Sequence, residues 1–412
     1  MITDFAAHLE DRLDTQPDDL RIIEANERDS LIISAVQVDG VWVVKSYYRD
    51  DVWMLTGGPT NRGKYKRLID FNRVPALYRT SVKQIMYRFL RRGRTGDARV
   101  TTQTVVEALH DLLPFLRFIN KLKLKHIGAV TPLVCSTYVD ATRAEQHRIK
   151  KDRLLSPSTL SARFKAVEML YELSQFTATP IVSHPWPETS ALLLAGQSRV
   201  GKHSRTPLIP DDVFAALFGE AHDLVKNGDV LLDLRAGIDS LAASSTSQNR
   251  TSLEKAKNAY LRANGWIGGL RTLKAKLLEL RIACYIVVAS LSGCRNHELT
   301  YINSDACYRT EDDEGESYWW MRSQSDKTGA GRTEWMVPEA AVKALAIMDR
   351  WAVPYQAAIA DEIALRRAQN PKDPEIAEAQ VHAKAVFLGQ HHKLEGRVRT
   401  LSDANWNLQL RK

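Results

Sequence analysis

A chain of 412 residues with a net charge of +8 has room for two or three domains and favours a polyanionic partner. Its 44% hydrophobic and 26% charged residues are ordinary for a soluble globular protein. No apolar run reaches the roughly 20 residues of a membrane helix, and the N-terminus lacks a signal-peptide pattern. The four cysteines lack CxxC spacing, so we expect a cytoplasmic protein with reduced thiols, no metal site and no membrane contact.

The first structured stretch is a predicted β-hairpin. Residues 31–38 and 41–48 are rich in β-branched and aromatic side chains, and Asp39-Gly40 between them is typical of a two-residue hairpin turn. Residues 52–55 predict a third strand. We assign residues 1–60 to this N-terminal β-hairpin region.

The most basic stretch follows. Between 62 and 99 twelve Lys or Arg residues stand against two Asp, and aromatic residues are interleaved with them. Residues 79–92 have helical spacing with one apolar face. Because acidic partners are nearly absent from the stretch, we interpret it as a DNA-contacting surface; a solvated helix face is the alternative. The residues expected to contact DNA here are Lys64, Lys66, Arg67, Arg79, Lys83, Arg88, Arg91 and Arg92.

Helical periodicity continues over 102–176 and predicts a bundle of about four helices, with 62–99 as a basic approach to it. Ser156-Pro157 is an N-cap signal, and the helix after it leaves Arg163 free to face DNA. We place this DNA-clamping domain at 61–177. A Pro-, Gly- and Ser-rich linker follows at 178–206, with Arg199 and Lys202 as further candidate DNA contacts.

The second domain is expected over 207–412, which makes the fold class mostly α with small β-hairpins (α+β). Helices are predicted over 211–226 and 253–263, with an exposed loop at 236–252. A long helix begins near 272 and runs through the apolar stretch 280–291. Two hairpin strands are expected at 318–323 and 333–337. A helix then begins at Pro338-Glu339, a short strand is expected at 386–389, and a last helix follows Ser402-Asp403.

The long helix leads directly to the candidate site. It ends at Ser292-Gly293, Arg295 follows at once, and Glu298 lies three residues further on, placed to orient Arg295. A guanidinium held at the edge of a core suits a phosphate ligand. Lys327, on the Gly-rich loop of the hairpin, is placed to protonate or stabilise a leaving 5′ oxygen. The alternative is a helix C-cap at Gly293 followed by solvated charges.

The stretch 292–299, Ser-Gly-Cys-Arg-Asn-His-Glu-Leu, resembles the first active-site box of the tyrosine recombinases, the phage-integrase family. The hairpin that carries Lys327 resembles the family's lysine hairpin, and 102–176 resembles its helical core-binding domain. The resemblance implies a core-binding domain and a mixed, mainly helical catalytic domain that clamp double-stranded DNA. It also implies strand cleavage by a tyrosine with no metal or cofactor, and a recombinase homo-oligomer or an intact recombinase as partner.

The second box of the family, His-x-x-Arg followed by a tyrosine, is not found after the lysine hairpin. None of His382, His391 and His392 has an arginine three residues on, and Tyr355 is the only tyrosine there. We therefore expect a truncated recombinase that engages the scissile phosphate but does not cleave DNA alone. One alternative is a non-catalytic DNA-binding protein of recombinase descent that modulates an intact partner. Another is a helical nucleic-acid-binding protein in which the arginine box is incidental.

Overall fold

A computed structural model describes residues 15–57, 60–94, 100–147, 149, 151–197, 208–244, 250–325, 331–391 and 394–410. About 58% of the chain is helical, and the strands form small antiparallel sheets, so the expected class, mostly α with small β elements, is confirmed. The chain forms two compact units. One comprises Met1–Thr206 with Lys372–Ala377, and the other comprises Pro207–Pro371 with Glu378–Lys412.

The predicted hairpin of the first unit is present. After a short helix α1 (Ala25–Asp29), strands β1 (Ile32–Val38) and β2 (Val41–Tyr47) pair antiparallel. Asp39 and Gly40 have φ values of 49° and 82°, the left-handed conformation that a tight two-residue turn requires.

The third predicted strand, β3 (Val52–Met54), is also present. It pairs with β4 (Leu68–Asp70), a partner that sequence reasoning missed. Three residues are too few to show the alternation by which a strand is recognised.

The remaining helices of the first unit are α2 (Arg79–Arg92), α3 (Thr102–Lys121), α4 (Pro132–Arg143), α5 (Pro157–Ser174) and α6 (Ala191–Leu194). The described part of 102–176 thus contains three α-helices where about four were expected, and α6 lies in the stretch 178–206, where no helix was expected. The Ser156 hydroxyl accepts the Thr159 amide at 3.2 Å, and Pro157 occupies the first turn of α5, as its missing N–H allows.

The strands and helices of this unit share one hydrophobic core. Trp53 of β3 packs edge-on against Phe71, with ring centroids 4.6 Å apart. Val82 and Ile85 of α2 are fully buried in the same core. Since each such side chain contributes about 1.5–3 kcal/mol by burial, α2 is an integral helix of the bundle. Residues 62–99 were expected to form a basic approach to the bundle, and their helical part is a member of the bundle itself.

The second unit is mainly helical. Its helices are α7 (Asp211–Lys226), α8 (Gly228–Ser244), α9 (Arg250–Ala263), α10 (Gly269–Ser292), α11 (Asn296–Thr300), α12 (Glu339–Gln369) and α14 (Asp403–Gln409). The residues of a short helix, α13 (Pro374–Gln380), are divided between the two units. The loop expected at 236–252 is helical up to Ser244. Leu234 and Ile238 are buried, and this burial outweighs the weak helix propensity of the neighbouring serines. Residues 245–249 lie outside the described part of the chain.

Two small sheets complete the second unit. Strands β5 (Cys307–Glu311), β6 (Ser317–Ser325) and β7 (Gly331–Met336) form an antiparallel sheet in that order, and β8 (Leu388–Gln390) pairs with β9 (Val398–Thr400). The predicted hairpin is therefore β6–β7. The edge strand β5 was missed, because its exposed residues show no apolar alternation.

Helix α10 lies at the centre of the second unit and packs against α7 and α12. Tyr285 of α10 stacks on Trp406 of α14 at 4.0 Å between ring centroids. The helix ends where the sequence predicted, at Gly293, whose φ of 64° is the left-handed conformation typical of a helix C-terminus. A buried helix with a fixed end therefore leads directly into the residues of the candidate site.

Within the residues that the structure describes, no helix has both the length and the apolar character to cross a membrane.

Candidate functional site

Arg295 lies at the junction between α10 and α11. The Ser292 hydroxyl donates to the Val288 carbonyl at 2.7 Å and accepts the Cys294 amide at 3.3 Å, which closes the turn around Gly293. Arg295 is then extended, with φ −71° and ψ 153°, and it is the N-cap residue of α11. Its side chain is 52% exposed. This turn directs the chain out of the core, so that the Arg295 guanidinium lies at the surface.

Glu298 holds Arg295 through both its backbone and its side chain. One carboxylate oxygen accepts the Arg295 amide at 2.7 Å, and the other accepts the Arg295 Nη1 at 3.0 Å. The Glu298 side chain is only 3% exposed. A buried carboxylate at the N-terminus of a helix also matches the positive end of the helix dipole. Glu298 therefore fixes both the start of α11 and the direction of the Arg295 guanidinium.

A hydrogen bond ties this turn to the hairpin. The Ser323 hydroxyl, on β6 and 8% exposed, donates to the Glu298 carbonyl. Lys327 lies four residues after Ser323, in the segment 326–330, which is outside the described residues. The structure thus places the strand that leads to Lys327 against the helix that carries Arg295, and sequence reasoning gave no signal for Ser323 as the anchor.

Three other side chains lie beside Arg295 in this turn, those of Cys294, Asn296 and His297. Burial raises the pKa of the Cys294 thiol to about 11, so this cysteine is a neutral thiol at physiological pH and not a nucleophile. The Nε2 of His297 lies 3.8 Å from the Glu298 carboxylate. Among the described residues, no group hydrogen-bonds the buried Oδ1 of Asn296 or Nε2 of His297.

Arginines of the basic stretch 62–99 form ion pairs with an acidic residue from outside the stretch. Asp18 accepts hydrogen bonds from Arg91 Nε at 2.8 Å and from Arg92 Nε at 2.5 Å, and Arg88 lies 3.8 Å away. Burial alone would raise the pKa of Asp18, but the bonds from Arg91 and Arg92 outweigh it and the pKa is lowered. Acidic residues are nearly absent from the stretch itself, but the fold supplies partners from outside it, so the inference that its cations are unpaired was wrong.

Two of the expected DNA contacts are buried. Arg67 is 3% exposed and Lys83 is 9% exposed. Lys83 donates to the Arg49 carbonyl at 3.1 Å and lies 3.6 Å from Asp51, and burial lowers its pKa. These two side chains therefore lie inside the first unit and are not placed to contact DNA.

The remaining candidates lie nearer the surface. Lys64 is exposed and pairs with Glu375 at 2.6 Å, and Lys66 is half-buried beside the Tyr65 ring. Arg79 is half-buried at the start of α2. Arg163 on α5 makes a two-pronged ion pair with Glu145, at 2.5 and 3.2 Å. Arg199 and Lys202 lie outside the described residues.

A buried arginine whose role sequence reasoning missed links α10 to β8 and α14 of the second unit. Arg281 of α10 is 4% exposed and donates to the Leu388 carbonyl at 3.1 Å and to the Gln409 side chain at 3.2 Å. Burial lowers its pKa to about 10. In the sequence Arg281 stands alone within an apolar run, and nothing in that run identifies its partners.

Comparison with protein-family models and with curated protein sequences finds no match for this chain. The function is therefore argued from the site.

Proposed function

We propose that this chain acts in site-specific DNA recombination or integration as a tyrosine-recombinase-like protein that binds duplex DNA. Arg295 would engage the phosphate of the strand to be cut. The observation that carries the proposal is the Arg295–Glu298 pair. A half-exposed guanidinium is locked by a buried carboxylate, at the end of a buried helix.

The geometry of the pair supports a phosphate role for Arg295. Within the described residues, the side-chain bond to Glu298 uses Nη1. The Nη2 and Nε donors are left in the fork arrangement that matches two oxygens of a phosphate. Because Glu298 fixes the guanidinium before DNA arrives, little side-chain entropy is lost on binding. A fixed positive charge at this point would stabilise charge that develops on the non-bridging oxygens.

Lys327 would complete the site from the β6–β7 hairpin. The bond from Ser323 to the Glu298 carbonyl couples the C-terminal end of β6 to the Arg295 turn. In this proposal Lys327 donates a proton to the leaving 5′ oxygen or stabilises its charge. The first unit would contact the DNA backbone through its surface cations Lys64, Lys66, Arg79 and Arg92, and not through the buried Arg67 and Lys83.

A second candidate function is non-catalytic DNA binding that modulates an intact recombinase partner. It is favoured by Tyr355, the only tyrosine that follows Lys327 in these 412 residues. Tyr355 stacks on Trp351 within α12, with centroids 5.7 Å apart, and so has a packing role. The two candidates share the phosphate contact of Arg295 and differ in whether a covalent intermediate forms.

The phosphate contact is tested by DNA affinity at several salt concentrations. The probe is a labelled duplex enriched from a randomised pool by binding to the unaltered chain. Arg295→Ala should weaken binding about tenfold and reduce the slope of log K against log salt by about 0.9. Arg271→Ala is the control, because this exposed arginine loses the same charge at the other end of α10, about 32 Å from Ser292 along the helix axis. Equal effects of the two substitutions would refute the proposal.

The two candidates are separated by trapping on a nicked duplex. A tyrosine recombinase becomes covalently linked to such a DNA, and the adduct survives denaturing electrophoresis. An adduct formed by this chain favours catalysis, and DNA binding without an adduct favours the modulating role. Tyr355→Phe identifies whether Tyr355 carries any adduct that is found.

A further inference from the structure

A pocket of about 150 Å³ lies in the second unit, between α12 and the segment that leads into β5. Its apolar wall comes from α12, where Val342, Leu345 and Ala346 recur at helical spacing. Its polar wall comes from Asn303 and Ser304. An apolar cavity of about this volume can hold a six-carbon ring, so the pocket has room for one short side chain or a small organic molecule.

Asp349 lies one turn beyond Ala346 and supplies the carboxylate of the pocket. The neighbouring Ser304 hydroxyl accepts a hydrogen bond from the Gln356 side chain at 2.9 Å and donates to the Lys384 carbonyl at 3.4 Å. The Oδ1 atom of Asp349 is buried, and among the described residues it has no hydrogen-bond partner. This oxygen has no accessible surface, so a ligand in the pocket reaches Asp349 only through its other atoms.

The charges around Asp349 are negative. Burial raises its pKa to about 6, the nearby Ser304 hydroxyl opposes that rise, and the exposed Asp305 adds to it. Arg350, the next residue on α12, is paired with Asp229 and Asp233. Cys307, also in the pocket wall, has a pKa raised to about 11 by burial and is neutral. Near neutral pH the pocket thus holds a half-buried negative charge, and no cation of the described residues pairs with it.

We propose that this pocket binds an organic cation, an ammonium or guanidinium group on a short aliphatic stem, with the cation on Asp349 and the stem against Val342 and Leu345. Other ligand classes fit less well. An anion would meet Asp349 and Asp305. A purely apolar ligand would cover the Asp349 carboxylate without pairing its charge, which costs about 1–3 kcal/mol.

A metal ion is also a poor fit for this pocket. Among the described residues no three His, Cys, Asp or Glu side chains lie together as metal ligands, and a hard divalent cation prefers several oxygen ligands. An alkyl cation needs only one carboxylate and a hydrocarbon wall, both of which are present. The pocket would bind it whether or not the chain binds DNA. Such a cation is found on free polyamines and on the Lys or Arg side chains of another protein.

The test is a calorimetric or ligand-observed NMR titration of the full chain with n-butylammonium, beside the neutral analogue 1-pentanol. Butylammonium should bind saturably at pH 7.5, and pentanol should not. Asp349→Asn should weaken the binding about tenfold, as expected for loss of a charged hydrogen bond. Asp361→Asn, an exposed carboxylate on the same helix, should leave it unchanged. Binding should also weaken below about pH 6, as Asp349 becomes protonated.

Three results would overturn the proposal: no saturable binding of butylammonium, equal binding of pentanol, or equal affinity in the Asp349→Asn variant. Circular dichroism of that variant checks that it is folded. A comparison of putrescine with Nα-acetyl-lysine amide then separates the two sources. Preference for the diamine indicates a free polyamine, and preference for the lysine derivative indicates a protein partner. Either preference supports the cation chemistry.

Discussion

Substitution of Glu298 by alanine tests the physical basis of the candidate site. The substitution removes the acceptor of the Arg295 amide at 2.7 Å and of the Arg295 Nη1 at 3.0 Å. Loss of a helix-terminal acceptor typically costs about 1 kcal/mol. Loss of a hydrogen bond to a charged group costs a further 1.5–3 kcal/mol or so.

Water reduces the second contribution. The Arg295 side chain is 52% exposed and is re-solvated when its partner is lost, whereas Glu298 is 3% exposed. The cost therefore stays below the roughly 3–5 kcal/mol of breaking a fully buried pair. We expect Glu298→Ala to destabilise the second unit by about 2–3 kcal/mol and to lower its melting temperature by about 5–10 °C. Glu298→Gln retains one acceptor oxygen and should cost about 1 kcal/mol.

The measurement is thermal and urea unfolding followed by far-UV circular dichroism. Glu279→Ala is the matched control. Glu279 forms an ion pair of the same helical spacing with Lys276 at 2.9 Å, but both side chains are exposed, at 55% and 38%. Such a pair contributes about 0.5 kcal/mol or less. A double-mutant cycle with Arg295→Ala should give a coupling of about 1 kcal/mol. If Glu298→Ala has no larger effect than Glu279→Ala, the carboxylate does not hold the site.

Three further predictions concern stability. Asp18→Asn should destabilise the first unit by about 1 kcal/mol at pH 7. Because the pKa of Asp18 is lowered from 3.8, its contribution is present above that value and is lost as the pH falls through the folded-state pKa, so the variant and the unaltered chain should converge in acid. Asp349 behaves in the opposite way. Its folded-state pKa of about 6 lies above the ordinary 3.8, so its ionisation destabilises the second unit increasingly from pH 4 to pH 6. Asp349→Asn should therefore raise the melting temperature at pH 7.5 and have little effect at pH 4, and an equal effect at both values would contradict this account. Gly293→Ala should cost about 1 kcal/mol in urea unfolding through backbone strain alone, since φ is 64° and no atom lies within 4 Å of the added Cβ. Gly219→Ala, inside α7 and equally free of contacts, should instead stabilise by about 0.5–1 kcal/mol, and the same sign for both would contradict the assignment.

The elements that sequence reasoning predicted correctly are those fixed by interactions over a few residues. Asp39-Gly40 specifies its turn because only certain residues adopt positive φ at low cost. Ser156-Pro157 starts α5 through a side chain that bonds an amide three residues on. The end of α10 at Gly293 and the proximity of Glu298 to Arg295 follow in the same way, from one helical turn.

Other features were decided only by the tertiary structure, because their partners lie far apart in the chain. Asp18 accepts a hydrogen bond from Arg91, which is 73 residues further along the chain. Ser323 donates one to Glu298, which is 25 residues earlier. No local pattern specifies which carboxylate neutralises a given arginine, so the basic stretch looked unpaired until the fold brought its partners to it. Strand β4 and the helical turn before Ser244 likewise depend on surfaces supplied by distant residues. The sequence alone identified Arg295 as a cation that directly follows the end of a buried helix. The folded chain decided what holds it, because the Ser323 bond that anchors its turn exists only once β6 has packed against α11.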